Sequence, residues 1–323
     1  MRAEVETPKA ESAISVVLGA AGGIGNALVK ELAGRGLRVR AVSRDGRARV
    51  PDGVESCTAD LTAAEGAARA CAGAAVAYHA AQPRYDRWAE EFPALNQNIV
   101  TAVTGAGAKL VFADNLYMYG PVTGPISEEC PQEPASRKGR VRKGLADSLL
   151  AAAEPNGLRV TIGRASDYFG PGGTGSVAGM MVAAALDGKA VRWPANADVP
   201  HTFSYLPDVA RALAVLGERS EADGKAWVLP AASAVSAREL VALIGREIGR
   251  PVKVSVTSKL TMRVAGLFVP EAREVPDIWY QFAAPFVVDD SAFETAFGPF
   301  EATPLAEAVH ATVAWYREHD LRH

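Results

Sequence analysis

A glycine-rich turn near the start of the chain has the residue types and spacing to bind phosphate. Gly19, Gly22 and Gly25 lie three residues apart in a turn that also holds Gly23 and Ile24, between an apolar run and a helical pattern. Glycines at this spacing permit a tight turn, close approach of backbone to a pyrophosphate, and close packing of helix on strand. The helix N-terminus then presents free N–H groups to the phosphates. A glycine turn can be purely structural, but this strand-to-helix context predicts a dinucleotide site.

The end of the second predicted strand indicates which dinucleotide is bound. An NAD site usually has an acid there for the ribose 2′-hydroxyl, whereas this chain has Ser43 and Arg44, with Arg47 nearby. A hydroxyl and a guanidinium suit a 2′-phosphate, which arginine can bind through two hydrogen bonds. The alternative is an ordinary surface arginine beside Asp45. The pattern favours NADP(H) over NAD(H).

Alternating strands and helices must position these residues. The series predicts an α/β fold of the Rossmann type, a doubly wound parallel sheet with a smaller C-terminal α/β substrate-binding portion. Thr62 is the expected N-cap of the second helix. The predicted strands are 12–18, 37–42, 54–59, 74–78, 109–113 and 159–162, and the helices between them are 24–35, 62–71, 98–105 and 137–153.

The amino-acid composition changes after about residue 165, where glycine and proline become frequent. Ser236 and Glu239 predict a capping box that begins a helix over 236–249, and a last helix is expected over 304–318. The dinucleotide-binding core is assigned to 1–165, with returning segments near 200–230 and 285–290. The substrate-binding portion is mostly 166–323, interleaved with the core.

Composition excludes several classes of protein. The 323 residues are 49% hydrophobic and 22% charged, with a net charge of −3, which fits neither a disordered chain nor a basic nucleic-acid-binding surface. No apolar run is long enough to span a membrane, and the polar start lacks signal-peptide anatomy. Three cysteines without a CxxC pair predict neither disulfides nor a metal site. We therefore expect a soluble cytoplasmic protein with neither a nucleic-acid nor a membrane partner.

Further motifs resemble the extended short-chain dehydrogenase/reductase family, in its NAD(P)-dependent epimerase/dehydratase branch, over nearly the whole chain. The resemblance implies that residues after the third and fourth strands line the cofactor. Tyr119-Gly120 after the fifth strand, the segment from Arg164 to Gly170-Pro171, and the stretch 201–209 are similar to other family landmarks. The implied cofactor residues are Asp60, Leu61, Ala80, Ala81 and Gln82.

The catalytic set departs from the family pattern. The family uses a serine, and a tyrosine and lysine spaced Tyr-x-x-x-Lys, for general acid–base catalysis. None of the eight tyrosines here has a lysine four residues later. Alignment on Lys143 places Gly139 at the tyrosine position, and alignment on Tyr119-Gly120 places Asn115 at the serine position. The chain is thus similar to an atypical member that lacks the tyrosine.

Asn115 and Tyr117 are the candidates to fill this gap. Asn115 can donate a hydrogen bond to a substrate oxygen. If the stretch is extended, the Tyr117 side chain projects to the same side. The resemblance implies an acid/base role for Tyr117, with Lys143 binding the ribose and lowering the pKa of Tyr117. The alternative is that Tyr117 only lines an aromatic pocket.

Five other residues are predicted to line the substrate pocket from their positions in the family pattern. Asp167 follows the sixth strand, and His201 stands where nucleotide-sugar enzymes often have a diphosphate-binding arginine. A neutral histidine replaces that charge poorly, which disfavours a nucleotide-sugar substrate. Loop capping by Asp167 and core packing by Tyr205 are the alternatives. The predicted pocket residues are Arg84, Tyr85, Asp167, His201 and Tyr205.

Three functions remain open from the sequence. The first is an NADP(H)-dependent oxidoreductase acting on a small non-nucleotide carbonyl, alcohol or activated alkene. The second is an epimerase or dehydratase that recycles its cofactor internally. The third is a non-catalytic NADP-binding sensor protein. The resemblance also implies a homodimer through the helices over 97–105 and 137–153.

Overall fold

A parallel sheet of seven strands forms the centre of the molecule within the residues described by the computed structural model, which are 13–153, 157–265, 267 and 275–319. The order across the sheet is β3-β2-β1-β4-β5-β6-β11, with every neighbouring pair parallel. The seven strands are β1 (Ile14–Leu18), β2 (Arg38–Ser43), β3 (Glu55–Thr58), β4 (Ala74–His79), β5 (Lys109–Asp114), β6 (Arg159–Arg164) and β11 (Ala226–Val228).

Helices cover both faces of this sheet, which explains why its central strands are apolar throughout. All five residues of β1 are buried, as expected for a parallel strand covered on both sides. One hydrophobic cluster joins the sheet to α2 (Ala64–Cys71), α3 (Trp88–Gly105) and α4 (Arg137–Ala153). The other joins it to α1 (Gly23–Gly34) and α6 (Leu206–Glu218).

The C-terminal portion packs around a third hydrophobic cluster. Its main helices are α5 (Val177–Leu186), α7 (Ala237–Ile248) and α11 (Leu305–Glu318), and three two-stranded pairings connect it. The strands of these pairings are β7 (Asp167–Phe169) with β10 (Phe203–Tyr205), β8 (Val191–Pro194) with β13 (Val254–Thr257), and β9 (Pro200–His201) with β12 (Val235–Ser236). The remaining helices are α8 (Lys259–Ala265), α9 (Tyr280–Ala283) and α10 (Ser291–Phe297).

The predicted Rossmann-type sheet is confirmed, with shifts at the ends of several elements. The capping box between Ser236 and Glu239 forms, and Gly249 ends α7 in the left-handed conformation. The prediction for Thr62 is wrong: Ala63 is the N-cap of α2, and the Thr62 hydroxyl instead donates to Asp60 at 2.7 Å. Helix α3 begins ten residues before its predicted start and contains Pro93 in its second turn, where the missing N–H removes one helical hydrogen bond. Ser12, the predicted first strand residue, and the polar start lie outside the described residues.

None of the described helices is long and apolar enough to cross a membrane.

Candidate functional site

The turn between β1 and α1, here called the glycine cradle, requires glycine at position 19. Gly19 has a φ of +89°, and a Cβ there would lie 2.6 Å from the backbone nitrogen of Ala81, at the end of the next strand of the sheet. Gly22 is the N-cap of α1 and supplies no side chain to cap the first turn. The backbone of this turn is thus open to a ligand at the helix N-terminus, where phosphate binds well. These features fit the pyrophosphate of a dinucleotide.

The residues predicted to contact the rest of a dinucleotide lie around the same edge of the sheet. Ser43 ends β2 and is buried, whereas Arg44 follows it and is exposed. Asp60 accepts hydrogen bonds from the Thr62 backbone N–H at 3.0 Å and from its hydroxyl, and these bonds lower the pKa of Asp60. Arg44 adds a smaller electrostatic effect in the same direction. Arg44 therefore lies near Asp60 at this edge of the sheet, while Arg47 pairs with Asp45 at 3.5 Å in solvent.

Asn115 and Tyr117 follow β5 in a turn, which corrects the expectation of an extended segment. The Tyr117 N–H donates to the Asn115 side-chain oxygen at 3.1 Å, and the Tyr119 N–H donates to the Leu116 carbonyl at 3.2 Å. An asparagine that accepts from the residue two positions on is a common turn former. The Asn115 oxygen is thus engaged locally, and its amide NH₂ is the group that could donate to a substrate.

The environment of Tyr117 also differs from the expectation. Burial raises the pKa of Tyr117 well above its usual value, and Tyr85, which hydrogen-bonds to it, and Asp167 raise it further. The groups that shift it do not include Lys143, whose ammonium group pairs with Asp147 at 2.7 Å on a partly exposed face of α4. The expected activation of Tyr117 by Lys143 is therefore wrong. Tyr117 remains a protonated hydrogen-bond donor across the neutral pH range.

The buried face of α4 carries a different pair of cations, Lys138 and Arg142. Their side chains lie four residues apart, the same spacing as the family's tyrosine and lysine, and they are 7% and 5% exposed. The Lys138 ammonium group donates to the Tyr85 carbonyl at 2.6 Å and lies 3.9 Å from the centre of the Tyr85 ring. Alignment on Lys143 missed this pair, although the run Arg137 to Lys143 offers two cations at that spacing.

Gly139 occupies a place where no side chain fits. A Cβ on Gly139 would collide with the Tyr117 carbonyl oxygen and lie 2.9 Å from the Cβ of Pro134. The absence of a tyrosine at this position therefore has a steric cause, since the turn after β5 packs directly against the start of α4.

Arg142 belongs to a buried group of charges at the carboxyl ends of the strands. Its guanidinium donates to Asp114 at 3.3 Å and to the Gln82 side-chain oxygen at 3.2 Å, and it lies 4.3 Å from the Trp88 ring. A second buried guanidinium, that of Arg164, lies 3.7 Å from the other Asp114 oxygen. Burial raises the pKa of Asp114, and the two arginines oppose that rise. Gln82 was predicted to contact the cofactor, so Arg142 lies beside the cofactor edge of the site.

Asp167 and His201 are joined by a hydrogen bond. Asp167 begins β7 immediately after β6, and its carboxylate lies 2.9 Å from Nε2 of His201 in β9. The His201 ring is 1% exposed and is surrounded by aromatic rings, while the Asp167 side chain is 16% exposed. The ring packs against Trp193, Phe203, Phe282 and Phe286. Two predicted pocket residues are therefore brought together, with the carboxylate as the accessible member.

The other predicted pocket residues have different surroundings. Tyr85 hydrogen-bonds to Tyr117 and thus lies within the site. Arg84 extends into solvent and pairs with Asp86 at 3.2 Å. Tyr205 packs in the C-terminal core, with its ring centre 5.3 Å from that of Phe169, which favours the packing alternative. An apolar groove between α5 and β8 is lined by none of the predicted site residues.

The residues after β3 and β4 that were predicted to contact the cofactor lie at the same edge of the sheet. Leu61 is buried in the first hydrophobic cluster, and the Ala80 N–H donates to the Leu18 carbonyl at 2.9 Å. Ala81 forms the wall against which Gly19 packs. Their small or apolar side chains leave room beside the glycine cradle.

Comparison with known families and structures agrees with this geometry. A sequence model of the NAD dependent epimerase/dehydratase family matches residues 15–229. Comparison with curated protein sequences gives no significant match.

Several solved structures share the fold at low sequence identity. DesIV, a dTDP-glucose 4,6-dehydratase from Streptomyces venezuelae with NAD bound, is 19% identical, with a TM-score of 0.77 over 94% of this chain and 97% of that one. MoeE5, in complex with UDP-glucuronic acid and NAD, is 23% identical, with a TM-score of 0.76 over 95% and 99%. The UDP-glucose 4-epimerase of Thermus thermophilus, in complex with NAD, is 20% identical, with a TM-score of 0.76 over 94% and 99%. At these identities the likeness shows the fold alone.

Proposed function

The chain belongs to the NAD-dependent epimerase/dehydratase family, and from this premise we propose that it is an NADP(H)-dependent oxidoreductase of a small, non-nucleotide carbonyl, alcohol or activated alkene. The observation that carries the choice of substrate is the hydrogen bond between Asp167 and His201. Several structural neighbours are named as complexes with, or enzymes of, nucleotide sugars. A carboxylate and a buried histidine are poor partners for a diphosphate, because the carboxylate repels it.

The cofactor is held by this chain's own residues on three sides. The glycine cradle and the α1 N-terminus suit the pyrophosphate, and Arg44 with Ser43 suits a 2′-phosphate. Arg142 takes the ribose-binding role first predicted for Lys143, because Arg142 faces the sheet beside Gln82 whereas Lys143 lies on a partly exposed face of α4. A bound nicotinamide would give or accept a hydride.

The substrate oxygen lies against the turn after β5 in this proposal. The Asn115 amide donates to it, and the protonated Tyr117 hydroxyl is a second donor. The partly exposed rings of Tyr85 and Tyr117 form an aromatic wall backed by the buried Trp88, whose ring centre lies 5.0 Å from that of Tyr85 and 6.5 Å from that of Tyr117. Such a wall suits an apolar or aromatic substrate body.

A second candidate is an epimerase or dehydratase whose cofactor returns to its starting form in each cycle. The family match and the names of the structural neighbours support it. The two candidates differ in redox balance, since only the oxidoreductase consumes NADPH when a carbonyl compound is turned over. A homodimer through α3 and α4 remains a proposal for either function.

The deciding experiment first measures NADPH and NADH binding by the purified chain, and then NADPH absorbance with a panel of aldehydes, ketones and conjugated alkenes. We expect steady NADPH consumption with at least one compound, and none with UDP-glucose. Product formation without a net change in NADPH would establish the second candidate instead. Tight NADPH binding without any turnover would favour the non-catalytic sensor.

A further inference from the structure

The fold places the carboxylate of Asp167 near the position proposed for the oxygen of the substrate. Asp167 follows β6, the neighbour of β5, and Asn115 follows β5 at the same end of the sheet. Asp114 pairs with Arg164 across the two strands, so the chain leaves the sheet at the same edge in both places. Asp167 is also near enough to Tyr117 to raise the pKa of that tyrosine. The Tyr168 hydroxyl donates to the Asp114 carbonyl at 2.8 Å and fastens β7 over the end of β5.

His201 lies on the buried side of this carboxylate, with its Nε2 2.9 Å from an Asp167 oxygen. Ser166 fixes the two segments together, because its hydroxyl donates to the Thr202 carbonyl at 2.7 Å and its N–H donates to the Ser204 hydroxyl at 3.0 Å. Nδ1 of His201 is buried without a hydrogen-bond partner among the described residues. A proton on Nδ1 would therefore be an unsatisfied buried donor, which favours the neutral form that donates from Nε2 to Asp167.

Tyr117 is a poor base in this site. Burial and the negative potential of Asp167 both raise the pKa of Tyr117, and its hydrogen-bond partner Tyr85 raises it further. A phenol that remains protonated can donate a hydrogen bond, but it does not accept a proton from an alcohol at neutral pH. The site needs another group for that step.

We infer that Asp167 is the catalytic acid/base, and that His201 is its positioning residue. The inference rests on the proposed oxidoreductase function. In the oxidative direction the substrate's O–H proton passes to an Asp167 oxygen. The carbinol C–H hydrogen leaves with its electron pair as hydride to an oxidised nicotinamide, and the C=O double bond forms. In reduction the hydride comes from a reduced nicotinamide and neutral Asp167 returns the proton to the oxygen.

Four titratable groups of the described chain face Asp167. They are His201 in β9, Tyr117 in the turn after β5, Tyr168 in β7 and Tyr280 in α9. Asp167 contributes to raising the pKa of all three tyrosines, after burial. The three tyrosines therefore stay protonated and uncharged at neutral pH, and none of them is a base for the substrate alcohol.

The first test needs no substrate. Long-range proton–nitrogen NMR of the ¹⁵N-labelled chain reports the tautomer of each histidine ring, and His201→Gln identifies the His201 signals. We expect His201 to carry its proton on Nε2, and Asp167→Asn to shift that signal while the His310 signals stay unchanged. A His201 ring protonated on Nδ1, or unaffected by Asp167→Asn, would overturn its positioning role.

The second test measures oxidation of 1-phenylethanol by NADP⁺ and reduction of acetophenone by NADPH. We expect Asp167→Asn to lower kcat about 100-fold or more, since general acid–base catalysis contributes about 10²–10⁴-fold. His201→Gln should lower kcat less and leave KM unchanged, with His310→Gln as the exposed control.

The outcomes separate this inference from the proposed function. If Asp167→Asn keeps wild-type turnover while Tyr117→Phe abolishes it, Tyr117 is the acid/base and the oxidoreductase function stands. If the wild type turns over neither these probes nor any other carbonyl compound, the proposed function fails and the role of Asp167 fails with it. Should Asp167→Asn not fold, Asp167→Glu retains a carboxylate and must recover part of the turnover.

Discussion

The guanidinium of Arg142 lies 3.3 Å from the carboxylate of Asp114, and both side chains are almost fully buried at the carboxyl end of β5. One residue later in α4, Lys143 turns toward solvent and pairs with Asp147. Because successive helical residues are rotated by about 100°, only one of these two cations can face the sheet. The structure places Arg142 there.

Replacing Arg142 should therefore weaken both the fold and cofactor binding. Removing one partner of a buried ion pair costs about 3–5 kcal/mol, so we expect Arg142→Met to lower the free energy of unfolding by about 3 kcal/mol. NADPH affinity should fall because the cation beside Gln82 is lost. Denaturant unfolding and fluorescence titration with NADPH measure the two effects.

Lys143→Met is the matched control for this change. An exposed pair four residues apart on a helix contributes only about 0.3–0.5 kcal/mol, so both quantities should stay close to those of the wild type. A Lys143→Met variant that loses NADPH affinity while Arg142→Met retains it would return the ribose-binding role to Lys143.

Gly139 should tolerate no side chain. A Cβ there collides with the Tyr117 carbonyl oxygen, and overpacking of this kind costs about 1–3 kcal/mol. Gly139→Ala should lower the free energy of unfolding by that amount, as measured by urea denaturation. Gly139→Tyr, which rebuilds the Tyr-x-x-x-Lys spacing with Lys143, should be destabilised further and gain no activity.

Gly144 provides the comparison on the same helix. A Cβ on Gly144 would meet nothing within 4 Å, and alanine is favoured over glycine in a helix by about 1 kcal/mol. Gly144→Ala should therefore stabilise the chain. Equal effects of the two substitutions would mean that the turn after β5 does not press against α4.

The sequence predicted the sheet well, because its evidence is local. The glycine spacing, the wholly apolar β1 and the capping box of Ser236 and Glu239 each act within a few residues, and all three formed as expected. The site was predicted less well. Which cation of α4 faces inward depends on the position of the Tyr117 backbone, and that contact joins residues distant in sequence.

Burial was the second property that the sequence could not provide. Tyr117 was expected to have a lowered pKa from a nearby ammonium group, whereas burial raises it. The bond between Asp167 and His201 joins residues 34 positions apart, and it requires β7 and β9 to be brought together by pairings that no sequence pattern indicated.

Arg44 should determine the preference for NADPH over NADH. Loss of a hydrogen bond to a charged group costs about 1.5–3 kcal/mol, which corresponds to an affinity loss of about 10- to 100-fold. We expect Arg44→Ala to weaken NADPH binding by that factor and to leave NADH binding unchanged. Parallel fluorescence titrations with the two cofactors measure this.

Arg47→Ala is the control for Arg44, since the Arg47 side chain is 85% exposed and already pairs with Asp45. Its NADPH affinity should stay within about twofold of the wild type, in line with the small contribution of exposed ion pairs. Equal wild-type affinities for NADPH and NADH would contradict the assignment of NADP(H).

His79 should make the chain less stable in acid. The ring is fully buried against Phe92 and Phe112, and burial, with a smaller effect of Arg142, lowers the pKa of His79 from 6.5 to about 3. Between pH 6.5 and about 3, the unfolded chain therefore binds a proton on His79 that the folded chain does not bind. The resulting stability is complete above pH 6.5 and is lost as the pH falls towards 3.

The expected size of this effect is about 1.4 kcal/mol for each pH unit below about 6.5. Urea unfolding at about pH 7.5 and about pH 5.0 should give a loss about 2 kcal/mol larger for the wild type than for His79→Leu, which has no proton to bind. The difference between the two chains isolates His79 from carboxylates that titrate in the same range. His310→Gln, at an exposed histidine, is the control and should keep the pH dependence of the wild type. If His79→Leu loses as much stability in acid as the wild type, His79 is protonated in the folded state and the prediction is wrong.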